Sequence, residues 1–278
     1  MRHILCIRRR QSLADAIVFM LTMLCAAQAS AVPSFARQTG FECTTCHVSW
    51  PELTSVGRQF KLGGYTLSRV ADGDRPLLSF DKDKAPPLIP LTAFLQASLS
   101  RTSKKDTPGA DATMFTKDDA LVLQQASLFL AGRIAEHAGG FVQWSYGGVE
   151  HHSSIDNVDL RLADRYKSDS MDVSYGLSLT NNPTMSDIYN TTPVWGFPFA
   201  SSGVAPTPAA STLIQGGLAQ QVAGLTAYSL WNRTLYAELG GYRTASGALS
   251  VFRAGIDRST AAVLDGIAPY WRLSLQHE

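Results

Sequence analysis

The sequence predicts a mainly β chain: a transmembrane antiparallel β-barrel, read here as incomplete, behind a small N-terminal α-helical segment. Three observations carry this. From Pro90 onward, apolar and polar residues alternate with period two in short runs separated by turns. The connections between runs alternate between long and short, the pattern of a membrane barrel with long loops at one end and tight turns at the other. Aromatic residues gather near the ends of the runs, at Tyr146, Tyr166, Trp231, Tyr242 and Tyr270-Trp271, as in interfacial girdles.

Residues 1–31 read as a signal peptide. Arg2 and Arg8-Arg9-Arg10 form a positive start, Ala14 to Ala27 is largely apolar, and Ala29-Ser30-Ala31 is a small-x-small cleavage site. The apolar stretch is short for a membrane span. Cleavage near Ala31 removes Cys6 and Cys25 and leaves Cys43 and Cys46 as the only thiols. It also leaves 20 basic against 22 acidic residues, formally −2. That is no polybasic surface, so nucleic acid is excluded as an expected partner.

Residues 32–65 form the helical segment, centred on Cys43-Thr44-Thr45-Cys46-His47. Two thiols three positions apart can add to the two vinyl groups of one haem, and a histidine beside the second thiol can bind its iron. The spacing therefore predicts one covalent haem c, with Cys43 and Cys46 as attachment residues and His47 as the iron ligand. The Cys pair alone also suits a structural zinc site or a redox dithiol. The first needs a second ligand pair, which does not follow, and the second needs a preceding strand, which the pattern lacks.

After the motif, Pro51 suits a first helical position and Glu52 suits its positive dipole end. Leu53, Val56 and Phe60 share one face, and Gly63-Gly64 ends the helix, predicting a helix that covers the haem. The segment holds no methionine and no second histidine, so a sixth ligand would have to be Lys61, if the iron is not five-coordinate. Met114, Met171, Met185, His137 and the pair His151-His152 are the remaining Met or His candidates before His277, each read as a loop or turn residue. His151-His152 falls in a predicted outer loop, where incoming metal is an alternative role.

Residues 66–88, rich in Asp, Lys and Pro, read as a linker, and 89–278 as the porin-like barrel. Strand faces are expected at Leu91–Leu99, Ala126–Leu130, Val142–Tyr146, Val158–Leu162 and Val173–Leu179. Further runs lie at Leu218–Leu230, Leu235–Arg243, Ala248–Ile256 and Ala268–Gln276. A soluble sandwich would share the alternation, and the loop lengths favour the barrel. No segment after residue 31 reads as a membrane helix, since 188–232 is broken by Pro193, Pro198, Pro206 and Pro208.

Pro33–Gly40, the Cys-Thr-Thr-Cys-His run, Pro51-Glu52-Leu53 and Gly57–Leu62 together resemble the start of outer-membrane cytochrome–porin fusions, the group that includes the iron oxidases of iron-oxidising bacteria. The resemblance is strongest over 33–65 and continues loosely through Ala126–Ile134 and Trp195–Pro198. It implies an outer-membrane location in a Gram-negative bacterium and a haem segment plugging a lipid-embedded barrel. It also implies single-electron transfer between an extracellular donor, Fe(II) foremost, and a periplasmic electron carrier, with Fe(II) oxidase as the enzymatic form. Family barrels carry about twice the eight or so strands counted here, and no terminal aromatic follows Gln276-His277-Glu278, which reads as C-terminal truncation. Two other functions fit the same parts: a porin whose haem is a structural plug, and a secreted soluble haem sensor.

Overall fold

Period-two alternation does produce strands, and each pairs with the next in sequence. The computed structural model describes residues 32–66, 77–78, 89–99, 121–148, 151–191, 217–257 and 263–277. Eight strands form one antiparallel sheet in sequential order. They are β1 (Leu91–Leu99), β2 (Leu121–Ala135), β3 (Ala138–Gly147), β4 (His152–Lys167), β5 (Asp172–Thr180), β6 (Val222–Trp231), β7 (Leu235–Thr244) and β8 (Ala268–Leu275). β1 and β8 are not paired with each other, so the sheet is not closed as a barrel. Among the described residues three helices precede it: α1 (Pro33–Thr39), α2 (Cys43–Cys46) and α3 (Ser55–Leu62). No described helix is long and apolar enough to cross a membrane.

Neighbouring rows of the sheet differ sharply in polarity and exposure. One cross-strand row runs Leu162, Leu177, Ala227, Leu239, Trp271. All five face outward, with Leu239 68% and Trp271 75% exposed. A neighbouring row on the other face runs Arg161, Ser178, Thr226, and all three are buried. Because the side-chain period is two, a one-residue slip would exchange these faces, so the register is set by which face meets what.

The connections alternate as expected. At one end they are residues 136–137, 168–171 and 232–234, and at the other they are 100–120, 148–151, 181–221 and 245–267. The helical segment sits on the buried face of the sheet, toward the short-turn end. Ser34 N donates to Thr92 Oγ1 (3.0 Å) and Ser34 Oγ to the Ala131 carbonyl (2.8 Å). Arg133 N donates to Gln38 Oε1 (3.0 Å). Phe35 packs with Phe60 and Phe141 at ring-centroid separations of 5.0 and 6.5 Å. A Cβ on Gly139 would stand 2.1 Å from the Gly64 carbonyl oxygen, so β3 admits the segment at main-chain distance only as glycine.

Part of the long β5–β6 connection also turns inward. Residues 181–191 carry the 3₁₀ turn Pro183–Ser186, and Ile188 joins Leu62, Tyr228, Leu230 and Tyr236 in one buried cluster. Helix, loop and strands thus share a core on the buried face.

Several expected boundaries move. The helix after the motif starts at Ser55 rather than Pro51, because Thr54 is its N-cap, accepting from Gly57 N. The expected strand at Ala248–Ile256 is a 3₁₀ stretch, Gly247–Arg253. Its Phe252 packs with Val158, Ala223 and Ala245, and Ile155 N donates to the Ala254 carbonyl (3.0 Å), so it seals β4 beyond the end of β5. The signal peptide, most of the 66–88 linker, Met114 and the Trp195–Pro198 loop lie outside the described residues.

Asp159 anchors the seat. It is fully buried and accepts from Tyr65 Oη (2.5 Å), Arg161 Nε (2.9 Å) and Ser178 Oγ (2.8 Å). Asp159→Ala would strand the buried Arg161 charge, and such breakage costs about 3–5 kcal/mol. Ser178→Ala removes one neutral donor and should cost about 1 kcal/mol. Denaturant unfolding of the two variants should show that order, and equal losses would refute the anchor.

Candidate functional site

The Cys-x-x-Cys-His run is held in a short, doubly clamped turn. Gly40 ends α1 in the left-handed conformation (φ 68°) with its N–H on the Ala36 carbonyl, which turns the chain into the motif. α2 is a single helical turn, closed by His47 N on the Cys43 carbonyl (2.9 Å). Residues three apart in a helical turn lie on the same side, so Cys43 and Cys46 are neighbours there. Both thiols are free and half-buried. Burial, and then the neighbouring Cys43, pushes the Cys46 thiol up, which favours its neutral form.

Thr54 fixes this turn to α3. Its Oγ1 donates to the Thr45 carbonyl (2.7 Å), its N–H donates to the Cys46 carbonyl (3.0 Å), and the same hydroxyl caps α3. Gly57 then brings α3 against α2, where a Cβ would lie 2.2 Å from the Cys46 carbonyl oxygen.

His47 is oriented by main chain. Its Nδ1 lies 3.2 Å from the Pro51 carbonyl oxygen and 3.3 Å from that of Glu52. Carbonyls only accept, so Nδ1 carries the proton and Nε2 presents its lone pair. Burial pushes the His47 pKa down, against the smaller upward effect of the two carbonyls, and so favours the neutral imidazole. Trp50 lies beside it, with ring centroids 4.4 Å apart. Around the motif, Phe41, Val48 and Val56 are exposed apolar side chains, Val48 70% so.

Cys43 and Cys46 bound the single turn of α2 and His47 is its C-cap, while the other expected neighbours fall in varied places. Of the three residues expected on one face of this helix, α3, only Val56 is open. Leu53 and Phe60 are buried, and Phe60 meets the Phe35 and Tyr65 rings edge-to-face. Lys61 is buried, and its Nζ donates to the Asp187 carbonyl and to Asn190 Oδ1, both at 2.8 Å. Its ammonium is therefore committed to the 181–191 segment. His137 lies in the β2–β3 turn, 3.8 Å from Asp164. His151 faces Tyr146 Oη (3.1 Å), and His152 Nε2 contacts the Gly255 carbonyl. Met171 lies in the β4–β5 turn and Met185 in the 3₁₀ turn. Among the described residues no group of three His, Cys, Asp or Glu side chains is placed to hold a metal ion.

Sequence reasoning missed the contribution of residues 187–190. Leu53 N donates to the Tyr189 carbonyl (2.9 Å), Arg58 stacks over the Tyr189 ring (5.2 Å), and Asn190 Nδ2 donates to the Pro51 carbonyl (3.3 Å). No local motif marks these residues, since their partners lie far away in the chain. No family model, curated protein or solved structure matches the chain.

Gly57→Ala tests the clamp. On an open helix this change stabilises by about 0.5–1 kcal/mol, but overpacking costs about 1–3 kcal/mol, and here the contact is rigid main chain. A net loss of stability is expected on unfolding, and a gain would show that α2 and α3 are not in contact.

Lys61 gives a pH signature. Burial, with the nearby Arg161 adding to it, pushes its pKa down to about 8, against Asp159, Asp187 and Glu238. The unfolded value is about 10.4, so between these values the unfolded chain binds the extra proton and stability rises with pH. Burial pushes the Tyr65 hydroxyl well up, which costs stability once unfolded tyrosines ionise near about 10. Melting temperature should therefore climb between roughly pH 8 and 10 and then fall. Lys61→Met should flatten the climb, and an unchanged slope would refute the buried ammonium.

Proposed function

We propose that the chain is an outer-membrane c-type cytochrome similar to the cytochrome–porin fusions, with one haem c attached at Cys43 and Cys46 and iron bound by His47. The observation that carries this is the orientation of His47. A main-chain-bonded Nδ1–H, which leaves the Nε2 lone pair for iron, and two free thiols in the preceding helical turn form the donor set that a covalent haem uses. The exposed Phe41, Val48 and Val56 fit a large apolar group at the motif. A haem bound there supplies reversible one-electron chemistry between Fe(II) and Fe(III). The chain's own part is to keep His47 neutral and fixed, and to enclose the motif between α3, Trp50 and the 187–190 segment.

The exposed apolar face supports a lipid partner. Leu162, Leu177, Leu239 and Trp271 in one row are large side chains that water would not favour, whereas outer-membrane strands carry such a band. This argues against the soluble haem sensor. With short turns on the periplasmic side and long loops outside, the motif end faces the periplasm. Electrons would then pass from an extracellular donor, Fe(II) foremost, through the one haem to a periplasmic carrier. A second reading, a porin with a structural haem plug, draws support from the seat itself. Tyr228 Oη donates to the Leu62 carbonyl (2.6 Å) and Tyr65 to Asp159, contacts that would lock the segment in place.

The test is an anaerobic visible spectrum of the membrane-purified chain, expressed with haem-attachment machinery, before and after Fe(II). Rapid appearance of reduced c-haem bands is the expected result. Bands that appear with dithionite but not Fe(II) would remove Fe(II) as donor and favour the plug. Absence of covalent haem, with Cys43→Ser spectrally identical to the parent, would overturn the assignment.

A further inference from the structure

We infer that Asn190 is a positioning residue for His47, acting through the Pro51 carbonyl and setting how much electron density the imidazole gives to iron. The inference rests on the haem reading above. The Pro51 oxygen accepts from two donors, His47 Nδ1 at 3.2 Å and Asn190 Nδ2 at 3.3 Å. The orientation of the Asn190 amide follows from chemistry. Lys61 Nζ, 2.8 Å from Oδ1, only donates, so Oδ1 must face Lys61 and Nδ2 must face Pro51. An unbroken chain thus runs from the buried Lys61 through the Asn190 amide and the Pro51 carbonyl to the Nδ1 of His47.

The surroundings make the contact specific. Residue 190 has φ 56°, the left-handed region in which asparagine is favoured among residues with a Cβ. The adjacent Tyr189 carbonyl accepts from Leu53 N (2.9 Å), so the loop meets the 47–53 turn at two successive residues. A carbonyl that serves two donors is a poorer acceptor for each. Asn190 therefore tempers the bond to His47 Nδ1, and the Lys61 charge polarises the amide in the same sense. A stronger Nδ1–H···O bond makes a ligating histidine more basic and favours the ferric state. By tempering that bond, Asn190 holds the reduction potential up.

The bland reading is that Asn190 only shapes the loop, and two variants separate the two. Asn190→Asp keeps the acceptor for Lys61 and tolerates the left-handed backbone, but loses the donor to Pro51. Asn190→Gly keeps only the backbone conformation and adds no charge. Both should retain covalent haem, and both should titrate at a lower midpoint potential than the parent in a spectroelectrochemical titration of the full chain. With ¹⁵N-histidine labelling, the His47 Nδ1–H resonance should move downfield in both, reporting a stronger bond. A haem-loaded pair of variants whose potential and resonance match the parent would overturn the role, whatever their stability. The resonance also reads the contact in chain expressed without haem-attachment machinery. Parent protein that binds no haem would therefore sink the haem reading, while the resonance alone would decide whether Asn190 and His47 share Pro51.

Discussion

Everything else in this molecule depends on how the buried face of the sheet satisfies its polar side chains. The strands bury Asp159, Arg161, Ser178, Thr226 and Glu238 and turn Leu162, Leu177 and Leu239 outward. Buried polar groups are costly unless bonded, and charges more so. Ser178 and Arg161 bond Asp159 within the sheet and Tyr236 bonds Glu238. Arg161 Nη1 and Thr226 Oγ1 find no partner among the described residues. Further bonds come from the rest of the chain. Tyr65 and Arg161 share Asp159, Arg161 reaches the Met185 carbonyl (3.1 Å), and Tyr228 reaches the Leu62 carbonyl. The helical segment and residues 181–191 therefore supply part of the hydrogen bonding of this face.

That face is filled from within the same chain. Helix α1 is bonded to β1 and β2 through Ser34, and the end of α3 is bonded to β6 through Tyr228. Residues 181–191 turn inward beside them, and Leu62, Ile188, Tyr228 and Tyr236 share one core. The outward Leu162, Leu177 and Leu239 follow from the same alternation of side chains along the strands.

Local rules were enough to read the motif, the strand faces and the alternation of short and long connections, because each is written in neighbouring residues. Cys43, Cys46 and His47 are brought together by one helical turn, and Leu162 and Leu177 face outward by the pleat alone. What escaped is decided at long range. The helix start shifted because Thr54 bonds back to Thr45 as well as capping α3. Phe60 turned from the motif toward Phe35 because α1 is pinned to β1 and β2 through Ser34. The stretch near Phe252 lost its strand character to a place beyond the end of β5. Asn190 carries no signal in its own neighbourhood, and its role exists only because the loop after β5 turns inward.

The same long-range contacts make the motif and the sheet one unit. The tautomer of His47 is fixed by carbonyls of the 51–52 turn, and that turn is held from outside by Tyr189 and Asn190. Those two residues follow the end of β5 in the inward loop, and they are fixed in turn by Lys61 and by Asp187, which Arg272 of β8 meets at 3.2 Å. A continuous set of contacts thus links Arg272 of β8 to the 51–52 turn through main-chain and amide groups. An isolated 32–65 segment would keep the thiols and the histidine but lose the loop that holds Pro51 in place. The chemistry of the five-residue motif is thus completed by residues more than a hundred positions away.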